Sequence, residues 1–137
     1  MPYVLDGRRT HDFASFVDEV NRALRAARPA GSDPALFAPW NGTLDALSYL
    51  LGEAFARAPG TLTWAHADTA RDALGHARMA DWLETRVAFV HPTNRPDIEA
   101  RLVEARHRHG PTLFETLADL MAAVPGLTLR LDDDAHP

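Results

Sequence analysis

The sequence predicts an α/β domain, a small three-stranded parallel sheet packed with four or more helices. Two observations carry this. Short β-prone runs at residues 3–5, 61–64 and 127–131 lie far apart in a chain of 137 residues. Between them, apolar residues recur at three- and four-residue spacing, the period of amphipathic helices. Strands joined by helical crossovers pair in parallel through right-handed connections.

The first strand, Tyr3-Val4-Leu5, ends at the turn signal Asp6-Gly7. Phe13, Phe16, Val17, Val20 and Leu24 form the stripe of a first helix, with Asp12 placed as its N-cap and an end before Pro29. Residues 28–42 read as loop from their proline, glycine and serine content and the tight-turn pair Asn41-Gly42. Thr43 is then the candidate cap of a second helix. Leu44, Leu47, Leu50, Leu51 and Phe55 make its apolar face, and Asp45, Ser48, Tyr49 and Gly52 lie on the other. Ala58-Pro59-Gly60 breaks it before the second strand.

Residues 67–90 are helical in pattern, with Gly75 a candidate break. Residues 86–91, Arg-Val-Ala-Phe-Val-His, fit a helix end or a strand equally well. Pro92 to Pro96 reads as loop, and Asp97 starts a polar helix with Ile98, Leu102 and Ala105 inward. Thr112 and Glu115 form a capping box before Leu113, Phe114, Leu117, Leu120 and Met121. Pro125-Gly126 leads into the last strand, which alternates apolar and polar residues. One domain over 1–131 is expected, with 65–109 an enlarged helical segment and 132–137 an acidic, disordered tail.

Composition excludes several classes. The chain has no cysteine, so disulfide and thiolate chemistry are out. No signal peptide and no membrane-length apolar run is visible, so the expected location is the cytoplasm. The net charge is −5, and all 14 basic residues are arginine. That balance argues against broad nucleic-acid binding and suits a basic protein partner. A monomer is expected for the free protein.

Phosphate-binding and nucleophile-elbow glycine motifs are absent. Of seven histidines, His107 and His109 are closest, and Glu104 stands three residues before His107. That spacing puts two metal ligands on one helix face, but a site needs three or four. A solvated helix end, with His and Arg at the negative pole, explains the cluster as well. No metal or other cofactor is called for. Asp45 and Asp119 could approach each other from different helices, although Asp45 also suits its own helix start.

The element order, with Val4-Leu5-Asp6-Gly7, Phe13, Phe16, Leu44-Asp45-Ala46-Leu47 after Trp40 and Gly42, Leu62-Thr63-Trp64 and Leu127 to Leu131, resembles the barstar family of intracellular ribonuclease inhibitors. The resemblance implies an inhibitor, not an enzyme. Its second helix and the preceding loop would enter a nuclease active site, with acidic groups in place of RNA phosphates. On this likeness Asp45 matches an acidic contact position, Asp119 falls near another, and Trp40 falls at or beside an aromatic one. Tyr49 stands where a further acidic contact is expected, and Ser48 where a tryptophan is. The segments between the first two helices and between Trp64 and Gly110 are also longer than the family pattern.

Three functions therefore compete. The first is an inhibitor, antitoxin or immunity protein that binds a ribonuclease or nuclease toxin through Trp40, Asp45, Tyr49 and Asp119. The second is a protein-interaction module of the same fold with a non-nuclease partner. The third is an enzyme or metal protein using His66, His76, His91, His107 and His109. Trp40 and Tyr49 each have a structural reading as well, Trp40 as cover for the sheet and Tyr49 as filler between helices.

Overall fold

The computed structural model describes residues 3–26 and 44–133. Strand β1 (Tyr3–Asp6) leads to helices α1 (Phe13–Ala26) and α2 (Leu44–Arg57), then strand β2 (Gly60–Ala65). Helices α3 (Ala67–Ala73), α4 (His76–Val87), α5 (Arg95–Arg106) and α6 (Leu113–Ala122) precede strand β3 (Leu127–Asp132). Among the described residues the sheet runs β1-β2-β3, and both pairs are parallel. The predicted α/β class and three-stranded parallel sheet are what the chain forms.

Local chemistry explains most boundaries. Asp12 accepts from the Ser15 N–H at 2.7 Å, and Ser15 Oγ accepts from the Asp12 N–H at 3.0 Å, a reciprocal cap on α1. Thr112 and Glu115 close the expected capping box on α6. Leu74 and Gly75 separate α3 from α4, so the break falls at the expected glycine. The ambiguous stretch at 86–91 resolves as a helix end. The Phe89 and Val90 N–H groups both donate to the Arg86 carbonyl, turning the chain before a strand can start. Helix α5 begins at Arg95, two residues earlier than expected. Pro96 is compatible with that first turn because its missing N–H would have had no helical partner. Strand β3 includes Asp132, and Asp133 lies 3.6 Å from Arg71, so the ordered chain runs past residue 131. The expected loop over 28–42, the cap at Thr43 and residues 134–137 of the tail lie outside the described residues.

Directly paired residues share a face of the sheet. Leu5, Leu62, Trp64 and Leu127 bury one face, whereas Val4, Thr61, Thr128 and Arg130 on the other are exposed. The Trp64 ring is the centre of the core, with Phe16 at 5.4 Å and Phe114 at 4.6 Å between ring centroids. Its indole N–H donates to the buried Thr10 hydroxyl, which donates in turn to the Gly7 carbonyl. A side chain at Gly7 would collide with the His66 carbonyl, so only glycine lets β1 turn there. Helix α5 packs on α4 through Ile98, Leu102 and Ala105, which fills the enlarged segment with a helical pair.

The two edges of the sheet differ. The Gly7 N–H donates to the Ala65 carbonyl at 2.7 Å, so odd residues of β1 face β2 and Val4 and Asp6 face outward. Helix α1 satisfies both. Glu19 Oε2 accepts from the Asp6 N–H at 2.7 Å, and Arg22 Nη2 donates to the Val4 carbonyl at 2.9 Å. Glu19 and Arg22 join in a two-point pair of 2.8 and 2.6 Å. At the far edge the Gly60 N–H donates to the Gly126 carbonyl at 3.0 Å, so even residues of β3 face β2. Leu129 and Leu131 therefore face outward, and among the described residues nothing hydrogen-bonds to their main chain.

Candidate functional site

Helix α2 buries Leu47, Leu51 and Phe55 almost completely, at 0%, 1% and 1% exposure. That fixes the opposite stripe in solvent. Asp45, Ser48 and Tyr49 are all exposed, Tyr49 at 68%. Asp45 and Tyr49 are four residues apart, so they are neighbours on one helical face. The alternative of Tyr49 as filler between helices is thereby overturned.

Asp45 also borders a groove of ≈ 690 Å³ between the starts of α1 and α2 and the body of α4. Phe13 and Trp82 meet in its floor with ring centroids 5.8 Å apart. The charges along it are largely matched within the protein. Arg78 donates to Asp81 at 2.7 Å, and the Arg86 guanidinium lies 4.9 Å from the centre of the Trp82 ring. The Asp12 carboxyl is held below its ordinary range, first by the Ser15 N–H and then by the Ser15 hydroxyl. Asp45, in contrast, has no ion-pair partner among the described residues. An uncommitted, solvated carboxylate beside an apolar groove can receive a cationic group from another molecule.

The other expected site residues divide. Asp119 is exposed on α6 but is not among the residues lining the groove, so the structure does not gather it with Asp45 there. Trp40 lies outside the described residues. Phe89, which the sequence reading did not select, lines the same groove as Asp45 and is 85% exposed. In sequence the stretch 86–91 fits a helix end or a strand, so nothing local fixes which way Phe89 points, and the turn after α4 leaves it outward.

Three of the histidines make local hydrogen bonds. His76 Nε2 lies 3.0 Å from the Gly110 carbonyl, and His107 Nδ1 lies 2.9 Å from the Val103 carbonyl. His91 Nδ1 accepts from the Thr93 N–H. Among the described residues no three histidine or carboxylate side chains come together as a metal site would require. A basic crevice near Arg8, Arg9, Arg22 and His66 is mostly neutralised, since Arg8 pairs with Asp6 and Arg22 with Glu19. No helix among the described residues is long and apolar enough to cross a membrane.

Comparison of the chain with protein-family models, with curated proteins and with solved structures gives no match.

Proposed function

We propose that this protein is a barstar-like inhibitor or immunity protein, working in the cytoplasm, that binds a ribonuclease or nuclease toxin and blocks its active site. The observation that carries the reading is the outward pair Asp45 and Tyr49 on α2, set on a helix whose other face is locked in the core. A rigid helix presenting a carboxylate and an aromatic side by side suits a basic, substrate-binding cleft. The carboxylate steers and anchors, and the phenol supplies contact area at little entropic cost. The likeness in sequence to ribonuclease inhibitors supplies the kind of partner, and the net charge of −5 favours encounter with a basic one. In this reading the chain performs no catalysis and needs no cofactor.

Inhibition of a basic, barnase-type ribonuclease tests this, with Asp45→Ala and Tyr49→Ala beside the wild type. Each change is expected to weaken inhibition by about 30-fold, the scale of a central interface contact. Raising the salt concentration should weaken it further for the wild type and less for Asp45→Ala. A nuclease inhibited equally by all three proteins would overturn the assignment of the surface.

Phe89 favours a second reading. An aromatic 85% exposed on the groove that Asp45 borders suits a partner contributing apolar area as well as charge, so a non-nuclease partner is the alternative. Capture of a partner that cleaves no RNA and is lost with Phe89→Ala would support it.

A further inference from the structure

We propose that the outer edge of β3 pairs antiparallel with β3 of a second copy of this chain, joining two sheets into one of six strands. Edge strands present unpaired N–H and C=O groups, and proteins normally cover, twist or charge them. At β1 the covering is done by Glu19 and Arg22. At β3 no described residue hydrogen-bonds to the outward main chain of Leu129 and Leu131, and Leu131 is 40% exposed.

The charges on β3 select the partner. Arg130 and Asp132 lie on the same face, and within one chain Arg130 Nε donates to Asp132 Oδ1 at 2.8 Å. An antiparallel pair with its two-fold axis at Leu131 sets each Arg130 opposite Asp132 of the other copy, twice over. It also sets Leu131 opposite Leu131 with both outward N–H groups bonded. Moving the axis to Arg130 would set the two arginines against each other, which cross-strand neighbours disfavour. Moving it to Leu129 would pair Arg130 with Thr128 and leave Asp132 unmatched. The strand is thus complementary to itself in one register, as a two-fold interface must be. Centred on Leu131, the pairing joins residues 129–133 of each copy, three of them within the six-residue strand on both sides, so it is at the small end of stable interfaces and the dimer forms as concentration rises. It uses neither Asp45 nor Tyr49, and it stands or falls independently of nuclease inhibition. It also departs from the monomer expected for the free protein.

Sedimentation velocity from micromolar to millimolar protein tests the pairing, beginning from the 15.1 kDa chain. The wild type should shift toward twice that mass. Arg130→Asp and Asp132→Arg should each weaken self-association about tenfold, because both cross-strand pairs become repulsive. Mixing the two variants should restore association, since each then meets its complement. Leu131→Pro should abolish it with the circular dichroism spectrum unchanged, because the lost N–H faces away from β2. A mass that stays monomeric throughout overturns the proposal. So does a dimer indifferent to both charge reversals, or one formed by the variants separately but not by their mixture. Protection of β3 from hydrogen exchange only on adding a different protein would also overturn it.

Discussion

The two edges of the sheet have the same need and meet it differently. Both β1 and β3 turn main-chain polar groups away from β2. At β1 two side chains one turn apart on α1 reach back across 13 and 18 residues to satisfy them. One of those side chains is a glutamate only 2% exposed, a residue type rarely buried unless paired. At β3 the outward main-chain groups of Leu129 and Leu131 have no partner among the described residues, and the nearby charges, Arg130 and Asp132, remain in solvent. The difference shows where the fold spends its polar side chains. The β1 edge is part of the core's closure, and the β3 edge is surface.

The strongest way to break that comparison is Glu19→Ala. It strands the Asp6 N–H and removes both hydrogen bonds that Glu19 accepts from Arg22. Losing charge-assisted bonds at a buried position costs about 2–3 kcal/mol. Urea denaturation should show that loss in the midpoint without a change in slope. A loss under about 0.5 kcal/mol, the size of an ordinary surface change, would mean that the edge is not closed by this pair.

Acid sharpens the same point. Burial pushes the Glu19 carboxyl up, but the hydrogen bond from Arg22, the Asp6 N–H and the Arg22 charge together outweigh it and hold the group below its ordinary range. A folded-state pKa below the unfolded one means that the unfolded chain takes up the proton first as pH falls. The contribution of Glu19 is therefore whole at neutral pH and is lost as pH falls from the ordinary glutamate range through the lowered value. Glu19→Gln keeps the shape and removes the titration. Its stability between about pH 5 and pH 3 should fall less steeply than that of the wild type, measured by thermal unfolding across that range. Parallel curves would assign the acid sensitivity to other carboxylates, with Asp6 and Asp12, both also lowered, the next to test.

How much of this was legible in the sequence depends on the range of each interaction. Periodicity and capping are local, so the strands, α1, the α3–α4 break and the Thr112–Glu115 box could all be read from neighbouring residues. The outward position of Asp45 and Tyr49 follows from the same periodicity, because Leu47 and Leu51 leave them no other side. Glu19 was invisible for the opposite reason. It sits beside Val20 in the apolar stripe of α1, and what buries it is a main-chain N–H 13 residues away. Phe89 failed differently, since a turn of three residues decides whether an apolar side chain points in or out. Asp119 was placed by likeness of sequence and by its seat on a different helix from Asp45, and no local pattern fixes whether two residues on different helices meet.

The smallest effect belongs to the far edge. Arg130 resembles Arg22 in chemistry, and each pairs with a carboxylate near a sheet edge. Their surroundings differ. The Arg22 partner is buried and its second contact is a main-chain carbonyl, whereas Arg130 is 67% exposed and Asp132 40%. A solvated pair two residues apart gains little over water, so Arg130→Ala should change monomer stability by less than about 0.5 kcal/mol. The measurement is a urea midpoint taken at micromolar concentration, below the range in which copies associate. A cost above about 1 kcal/mol under those conditions would exceed what an exposed pair supplies. It would show that Arg130 is committed within one chain, which would narrow the contrast with Arg22 and take from a second copy the charge that its Asp132 is meant to meet.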